Sequence, residues 1–258
     1  MKRMIRSILA LVAALGFTVG VAANEGGVPW DKFPKERLTN MAALQHGAKL
    51  FVNYCLNCHS AAYMRFNRLG DIGLTDDQIR KNLLFTSEKV GDLMTVAMSA
   101  KDAKAWFGAT PPDLSVIARS RAGANGSGAD YLYTYMRGFY RDEAKPTGWN
   151  NIAYPDVAMP HAMWELQGEQ RPIYAEQADP HHAGKSVHVF KGFEISKAGQ
   201  LSKVDYDVAT ADLVAYLQWM GEPAQNQRVR LGVWVLLFLG LFTVFAWRMN
   251  ASFWKDVK

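Results

Sequence analysis

Two stretches of the chain are apolar almost without interruption, and the sequence between them mixes polar and apolar positions. The first runs from Ile8 to Ala22, after the basic opening Met1-Lys2-Arg3-Met4-Ile5-Arg6, and closes on the small residues Val21-Ala22-Ala23. Charged, apolar and small-residue segments in that order predict a secretory signal over 1–23, cut after Ala23. An uncleaved anchor is the alternative, and in both readings the body is exported. The second stretch, Leu231 to Trp247, is 17 residues without a charge, about 25 Å as a helix and able to cross a bilayer. Its apolar residues fill every face, which argues against a one-sided soluble helix. Trp234 and Trp247 near its ends and the flanking Arg230 and Arg248 suit membrane interfaces. The signal sets the orientation, with the body outside the membrane and a short tail in the cytoplasm. Between the two runs, helical periodicity is expected around 40–57, 75–83, 88–99, 112–120, 129–139 and 209–220. Strand-like alternation is confined to Val187-His188-Val189-Phe190, expected to pair as a short hairpin with the residues after Gly192. The chain thus divides into a signal over 1–23, an exported domain over 24–226, and an anchor with its tail over 227–258.

The formal charge of +5 and pI near 9.1 would suit a nucleic-acid ligand if the charge lay on the body. It lies at the ends: Lys2, Arg3 and Arg6 open the chain, and Arg228, Arg230, Arg248, Lys255 and Lys258 close it. Residues 24–227 keep 21 basic against 23 acidic side chains, so a basic nucleic-acid surface is not expected. The chain's two cysteines, Cys55 and Cys58, are too few for a disulfide-stapled domain.

They sit in Cys55-Leu56-Asn57-Cys58-His59, a C-x-x-C-H sequence. This is the attachment pattern of a c-type haem, two thioethers on one haem edge and a histidine toward the iron. A thioredoxin-like site would need a β-α-β setting, whereas the flanks Leu44 to Tyr54 and Ala61 to Leu69 look helical. A zinc site would need a further Cys or His pair at finger spacing, and the chain has no third cysteine. The sixth position on the iron calls for a Met thioether, a second His, or nothing. Met64 is too near His59 in sequence to reach the other haem face, and Met94, Met98 and Met136 fall in apolar stretches where Met fills core. Met159 lies between Pro155 and Pro160, which hold the chain extended. His161, Met163 and the pair His181-His182 compete with it.

The run His46-Gly47 through Phe51-Val52-Asn53-Tyr54 into the C-x-x-C-H, with Tyr63 to Leu69 after it, resembles the cytochrome c1 family. So do four further blocks in the same order: Pro111-Pro112-Asp113-Leu114-Ser115 with Arg119 and Arg121; Asp130-Tyr131 through Gly138-Phe139-Tyr140 and Pro146-Thr147-Gly148; Ala158-Met159-Pro160; and Asp212-Leu213 through Trp219 with Glu222-Pro223 before the span. The resemblance implies a mainly α, cytochrome c-like haem domain with long loops and one C-terminal transmembrane helix. It implies one covalently attached haem c, held by Cys55 and Cys58 and ligated by His59 and Met159. Arg121 and Tyr131 would meet the propionates, with Arg119 the weaker candidate, and a proline carbonyl of the Pro111-Pro112 pair would accept the His59 Nδ1 proton. Gly47 and Phe51 would pack against Leu213, Tyr216 and Leu217. The Gly-rich stretch Ala122 to Gly128 departs from the family pattern and reads as a surface loop.

The implied function is one-electron transfer in a respiratory quinol:cytochrome c reductase of a bacterial inner membrane, with the haem domain in the periplasm. Electrons would arrive from a Rieske iron–sulfur protein and leave for a c-type cytochrome, with cytochrome b the membrane partner. Whether the chain counts as an enzyme is then a property of the complex, since quinol oxidation occurs elsewhere in it. Asp142, Glu143, Glu165, Glu169, Glu176 and Asp179 would form an acidic approach for a basic acceptor. A haem subunit of a terminal oxidase, and more remotely a haem ligand sensor or peroxidase, are the rival readings.

Overall fold

The computed structural model describes residues 28–178 and 186–256. The expected signal over 1–23, Asp179 and the pair His181-His182 lie outside the described residues. A 3-10 turn over Lys35–Thr39 leads into α1 (Met41–Leu50), which continues directly into a π turn, Phe51–Cys55. Next come β1 (Ala61–Arg65), a 3-10 stretch over Phe66–Ile72, α2 (Asp76–Asn82), β2 (Leu93–Met94), α3 (Ala100–Phe107), α4 (Ile117–Ser120) and α5 (Gly128–Arg137). The chain continues through β3 (Phe139–Arg141), β4 (Trp149–Asn151), α6 (Trp164–Gln167), β5 (Gly168–Ala178), β6 (Ser186–Ala198), α7 (Lys203–Gly221) and α8 (Gln225–Phe253). Helix dominates, and the strands among the described residues form three antiparallel pairs, β1 with β2, β3 with β4 and β5 with β6.

The centre of the fold is the crossing of α1 and α7. Asn40 caps α1 by accepting from the Ala43 amide, and Ser202 caps α7 by accepting from the Asp205 amide. α7 buries twelve of its nineteen residues, so it runs through the core rather than along its surface. At the crossing α1 presents Gly47, where an added Cβ would stand 2.0 Å from the Asp212 carbonyl oxygen and 2.7 Å from the Tyr216 Cβ. That approach brings Phe51 onto Tyr216, ring centroids 5.5 Å apart, both fully buried. The buried Asp212 carboxylate accepts from His46 Nδ1 at 2.8 Å and from Arg37 at 3.1 Å, so the carboxylate within the crossing is paired. The packing of Gly47 and Phe51 against α7 matches the sequence expectation. α8 leaves the domain as a 29-residue helix, mean hydropathy 2.2 over its most apolar window, with no buried residue. It is longer than the expected 231–247 run and could cross a membrane by length and composition. Glu222 and Arg228 pair across its junction with α7.

Four expectations fail locally. Residues 88–99 are not a helix: they turn into β2, where Met94 pairs with Ala61. The downstream flank of the haem motif is likewise β1 and then 3-10 turns rather than a helix. The helix expected over 112–120 shrinks to α4, because Pro111 and Pro112 hold the preceding chain out of helical geometry. The Val187 strand belongs to the long β6, which continues through Gly192 and pairs backwards with β5. α3 was not expected, although Ser99 capping the Asp102 amide is a legible start signal.

Because both sides of the Gly47 contact are backbone or Cβ atoms, a side chain there must push α1 off α7. Gly47→Ala is expected to lower stability by about 1 to 3 kcal/mol, read as a fall in the thermal midpoint. An unchanged midpoint would mean the crossing is loose.

Candidate haem site

The π turn ends α1 at Cys55, and the next turn closes with the Cys58 and His59 amides both donating to the Cys55 carbonyl, at 3.1 and 2.9 Å. This places two thiols and an imidazole on one short arc. The turn borders a cleft of about 340 Å³ that is lined by Cys55, Cys58, His59, Pro112, Leu132 and Tyr135, and also by Arg121, Tyr131 and Met159. Burial, with a smaller push from Cys58, raises the Cys55 thiol to about 12. A thiol so far from ionisation is a poor nucleophile for disulfide exchange, which argues against the thioredoxin-like reading.

The segment around Pro112 is stitched to the strand just after His59. Leu114 donates to the Ser60 carbonyl at 2.8 Å, Ala62 donates to the Asp113 carboxylate at 2.7 Å, and Tyr63 donates to the Ser115 hydroxyl at 3.1 Å. Asp113 also closes its own turn by accepting from the Ser115 amide at 2.8 Å. These bonds set the Pro112 carbonyl 2.7 Å from His59 Nδ1. A carbonyl only accepts, so Nδ1 carries the proton and Nε2 is the nitrogen free to bind a metal. Burial lowers the His59 pKa by more than the Pro112 bond and Asp113 raise it, so the ring is neutral and ligand-competent.

Met159 arrives on a loop fastened by two buried asparagines. Asn151 donates to the Tyr135 carbonyl at 2.7 Å and accepts from the Ala153 amide at 2.9 Å. Asn150 accepts from the Asp156 amide at 2.9 Å and donates to Asp142 at 3.0 Å. Asp156 takes a positive φ of 60°, and its carboxylate pairs with Lys145. The sequence reading missed Asn150 and Asn151, whose only signal is their adjacency just before the proline-flanked segment. Tyr135 from α5 donates its hydroxyl to the Met159 sulfur at 3.4 Å, and burial, its largest influence, raises that phenol's pKa.

The competitors lie elsewhere. His161 is almost fully buried outside the cleft, stacked flat on Phe139 with centroids 4.7 Å apart and edge-on to Trp149. Burial, partly offset by the Gln167 side chain, lowers its pKa to about 4. Met163 is wholly buried in the core and does not line the cleft. Arg119 turns toward Gly221 at the end of α7. Arg121 sits at the lip of the cleft with its guanidinium 5.7 Å from the centre of the Tyr131 ring.

Tyr131 and Tyr135 are placed by α5, whose first turn is fixed in two ways. Gly128 lets it approach α4 so closely that a Cβ would lie 1.9 Å from the Ala118 carbonyl oxygen. Ser127 and Asp130 form a reciprocal capping box, and the Asp130 carboxylate also accepts from the Phe33 amide at 2.8 Å and from Lys32. The end of the Gly-rich stretch is therefore a packed helix start, and only its beginning is a surface loop.

Two thiols three residues apart, a neutral imidazole with one nitrogen committed, a thioether and a guanidinium at the lip of an apolar cleft form a donor set that fits a haem c. A family model described as the Cytochrome C1 family matches residues 33–257. The chain belongs to the cytochrome c1 family. Cytochrome c1 from Allochromatium vinosum is 42% identical over 85% of this chain and 86% of its own. A protein of Nitrosomonas europaea named ammonia monooxygenase gamma subunit is 43% identical over 99% of both chains. Cytochrome c1 of Rhodospirillum rubrum is 27% identical over 98% of this chain and 97% of its own. A cytochrome c1 carries a covalently bound c-type haem and is the membrane-anchored electron-transfer subunit of the bc1 complex, which also contains cytochrome b and a Rieske protein. The exposed apolar α8 fits that anchor.

Burial, the largest influence, raises the Asp130 carboxyl, but the bonds from Phe33, Ser127 and Lys32 together hold it below its ordinary 3.8. Its stabilising contribution is thus fully present above about pH 4 and drains as pH falls through the lower folded value. Asp130→Asn is expected to cost about 1 to 3 kcal/mol at neutral pH and to flatten the acid limb of a stability-against-pH curve. An unchanged acid limb would contradict this.

Proposed function

We propose that this chain carries single electrons through a haem c fixed by thioethers from Cys55 and Cys58 and ligated by His59 Nε2 and Met159 Sδ. The observation that carries this reading is the single cleft that Cys55, Cys58, His59 and Met159 all line, with His59 Nδ1 already bound to Pro112. When bound, the haem would supply a ferric–ferrous couple, and ligation by a His together with a Met thioether would favour the ferrous side and a high potential. The chain's own residues do the rest. Pro112 holds the imidazole's tautomer and orientation. Arg121 offers a guanidinium to a propionate, and Tyr131 supports it through its ring. Apolar Leu132, Met136 and Leu217 line the cleft and keep water from the couple.

In this proposal residues 24–226 form the haem domain and face the periplasm of a bacterial inner membrane, while 227–258 form the anchor and a cytoplasmic tail after removal of 1–23. The donor is the Rieske protein and the acceptor a c-type cytochrome. Two of the acidic residues proposed to face that acceptor have partners of their own. Asp142 is tied to Asn150, and Glu169 lies 3.7 Å from Arg141 and 3.8 Å from Lys197. The Nitrosomonas relative's name raises a second reading, electron delivery beside an ammonia-oxidising enzyme. The subunits that co-purify with the solubilised protein decide between the two assemblies.

Met159→Leu is expected to abolish the weak far-red charge-transfer band of a ferric His/thioether haem and to lower the potential. Loss of the band in Met163→Leu or His161→Ala, with its retention in Met159→Leu, would overturn the ligand assignment.

A further inference from the structure

Tyr135 points its hydroxyl at one atom, Sδ of Met159, at 3.4 Å. Its ring has little freedom. It stacks on Tyr131 with centroids 5.7 Å apart and planes 25° apart, and meets Phe139 edge-on at 5.1 Å. Phe139 is held in turn by the flat His161 ring. The Tyr135 carbonyl accepts from Asn151, the same side chain that accepts the Ala153 amide at the start of the Met159 loop. One set of contacts therefore locates both the donor, on α5, and the acceptor, on the loop. A phenol is a good donor and a thioether a weak acceptor with two lone pairs, so a sulfur that gives one pair to a metal still has one for a hydroxyl.

We propose that Tyr135 is a positioning and tuning residue for Met159: its hydroxyl occupies one lone pair of the sulfur, leaves the other for iron, and draws electron density from it. The inference rests on the reading of Met159 as ligand and goes beyond it. A sulfur that donates less stabilises ferric iron less, so the hydrogen bond raises the potential. Hydrogen bonds from outside the ligand set adjust the electronics of metal-bound ligands in this way.

The test is a redox titration of the full membrane complex carrying Tyr135→Phe, which keeps the ring and removes the hydroxyl. The far-red band should remain, and the potential should fall so that the ferric-to-ferrous ratio at a fixed poise rises about threefold to tenfold, roughly 30 to 60 mV at 59 mV per tenfold for one electron. Tyr133→Phe is the control. Tyr133 lies on the same helix beneath the Arg137 guanidinium, 4.4 Å away, and its loss of a hydroxyl should leave the potential unchanged. Fluorotyrosine placed at position 135 keeps the shape and makes a stronger donor, so it should move the potential upward even if Tyr135→Phe holds haem poorly. An unchanged potential in both position-135 variants, or an equal shift in Tyr133→Phe, would overturn the role of Tyr135. Failure of the ligand reading shows separately, as a far-red band that survives Met159→Leu.

Discussion

The hydrogen bond from His59 Nδ1 to the Pro112 carbonyl, 2.7 Å long, is the constraint on which the site depends. An imidazole in a buried cleft without that partner would be free to rotate and to exchange tautomers, and neither nitrogen would be committed. The bond needs a carbonyl in one place, and it spans a sequence separation of 53 residues. The chain meets that need by sewing Asp113, Leu114 and Ser115 to the backbone just beyond His59. The two prolines contribute by keeping the segment extended, so that its carbonyls stay outside any helix.

The rest of the fold holds the two halves of the donor set on one cleft. α1 delivers the thiols and the imidazole, and its position is set by Gly47 against α7 and by the Asp212 carboxylate shared between His46 and Arg37. α5 delivers Tyr131 and Tyr135, and its start is set by Gly128 against α4 and by the bonds to Asp130. Asn151 ties α5 to the Met159 loop. α7 then carries the chain from this core to α8, so the anchor and the haem motif are joined through one packed crossing rather than through a free linker.

Much of this is legible in the sequence where chemistry or length is local. C-x-x-C-H is a five-residue signal, the apolar run before Trp247 is uninterrupted, and the glycine at 47 beside Phe51 anticipates a close crossing. Legibility ends where the outcome depends on distant partners. Ala61–Arg65 is apolar enough for either structure, and it becomes a strand because Met94 is there to pair with it. β6 pairs with β5 through two register shifts, which no local alternation encodes. Asn150 and Asn151 have no periodicity at all, and their importance lies in four hydrogen bonds that exist only once the loop is closed. Glu169 is a similar case, since its neighbours Arg141 and Lys197 are far from it in sequence and near it in space.

On this reading His59 and Met159 belong to one iron. Near-infrared magnetic circular dichroism of the unmodified, oxidised complex tests it most directly, because the ligand-to-iron transition of a ferric low-spin haem reports its axial pair. The expected signature is that of an imidazole with a thioether. The signature of two imidazoles, or of a high-spin iron with an open position, would contradict it.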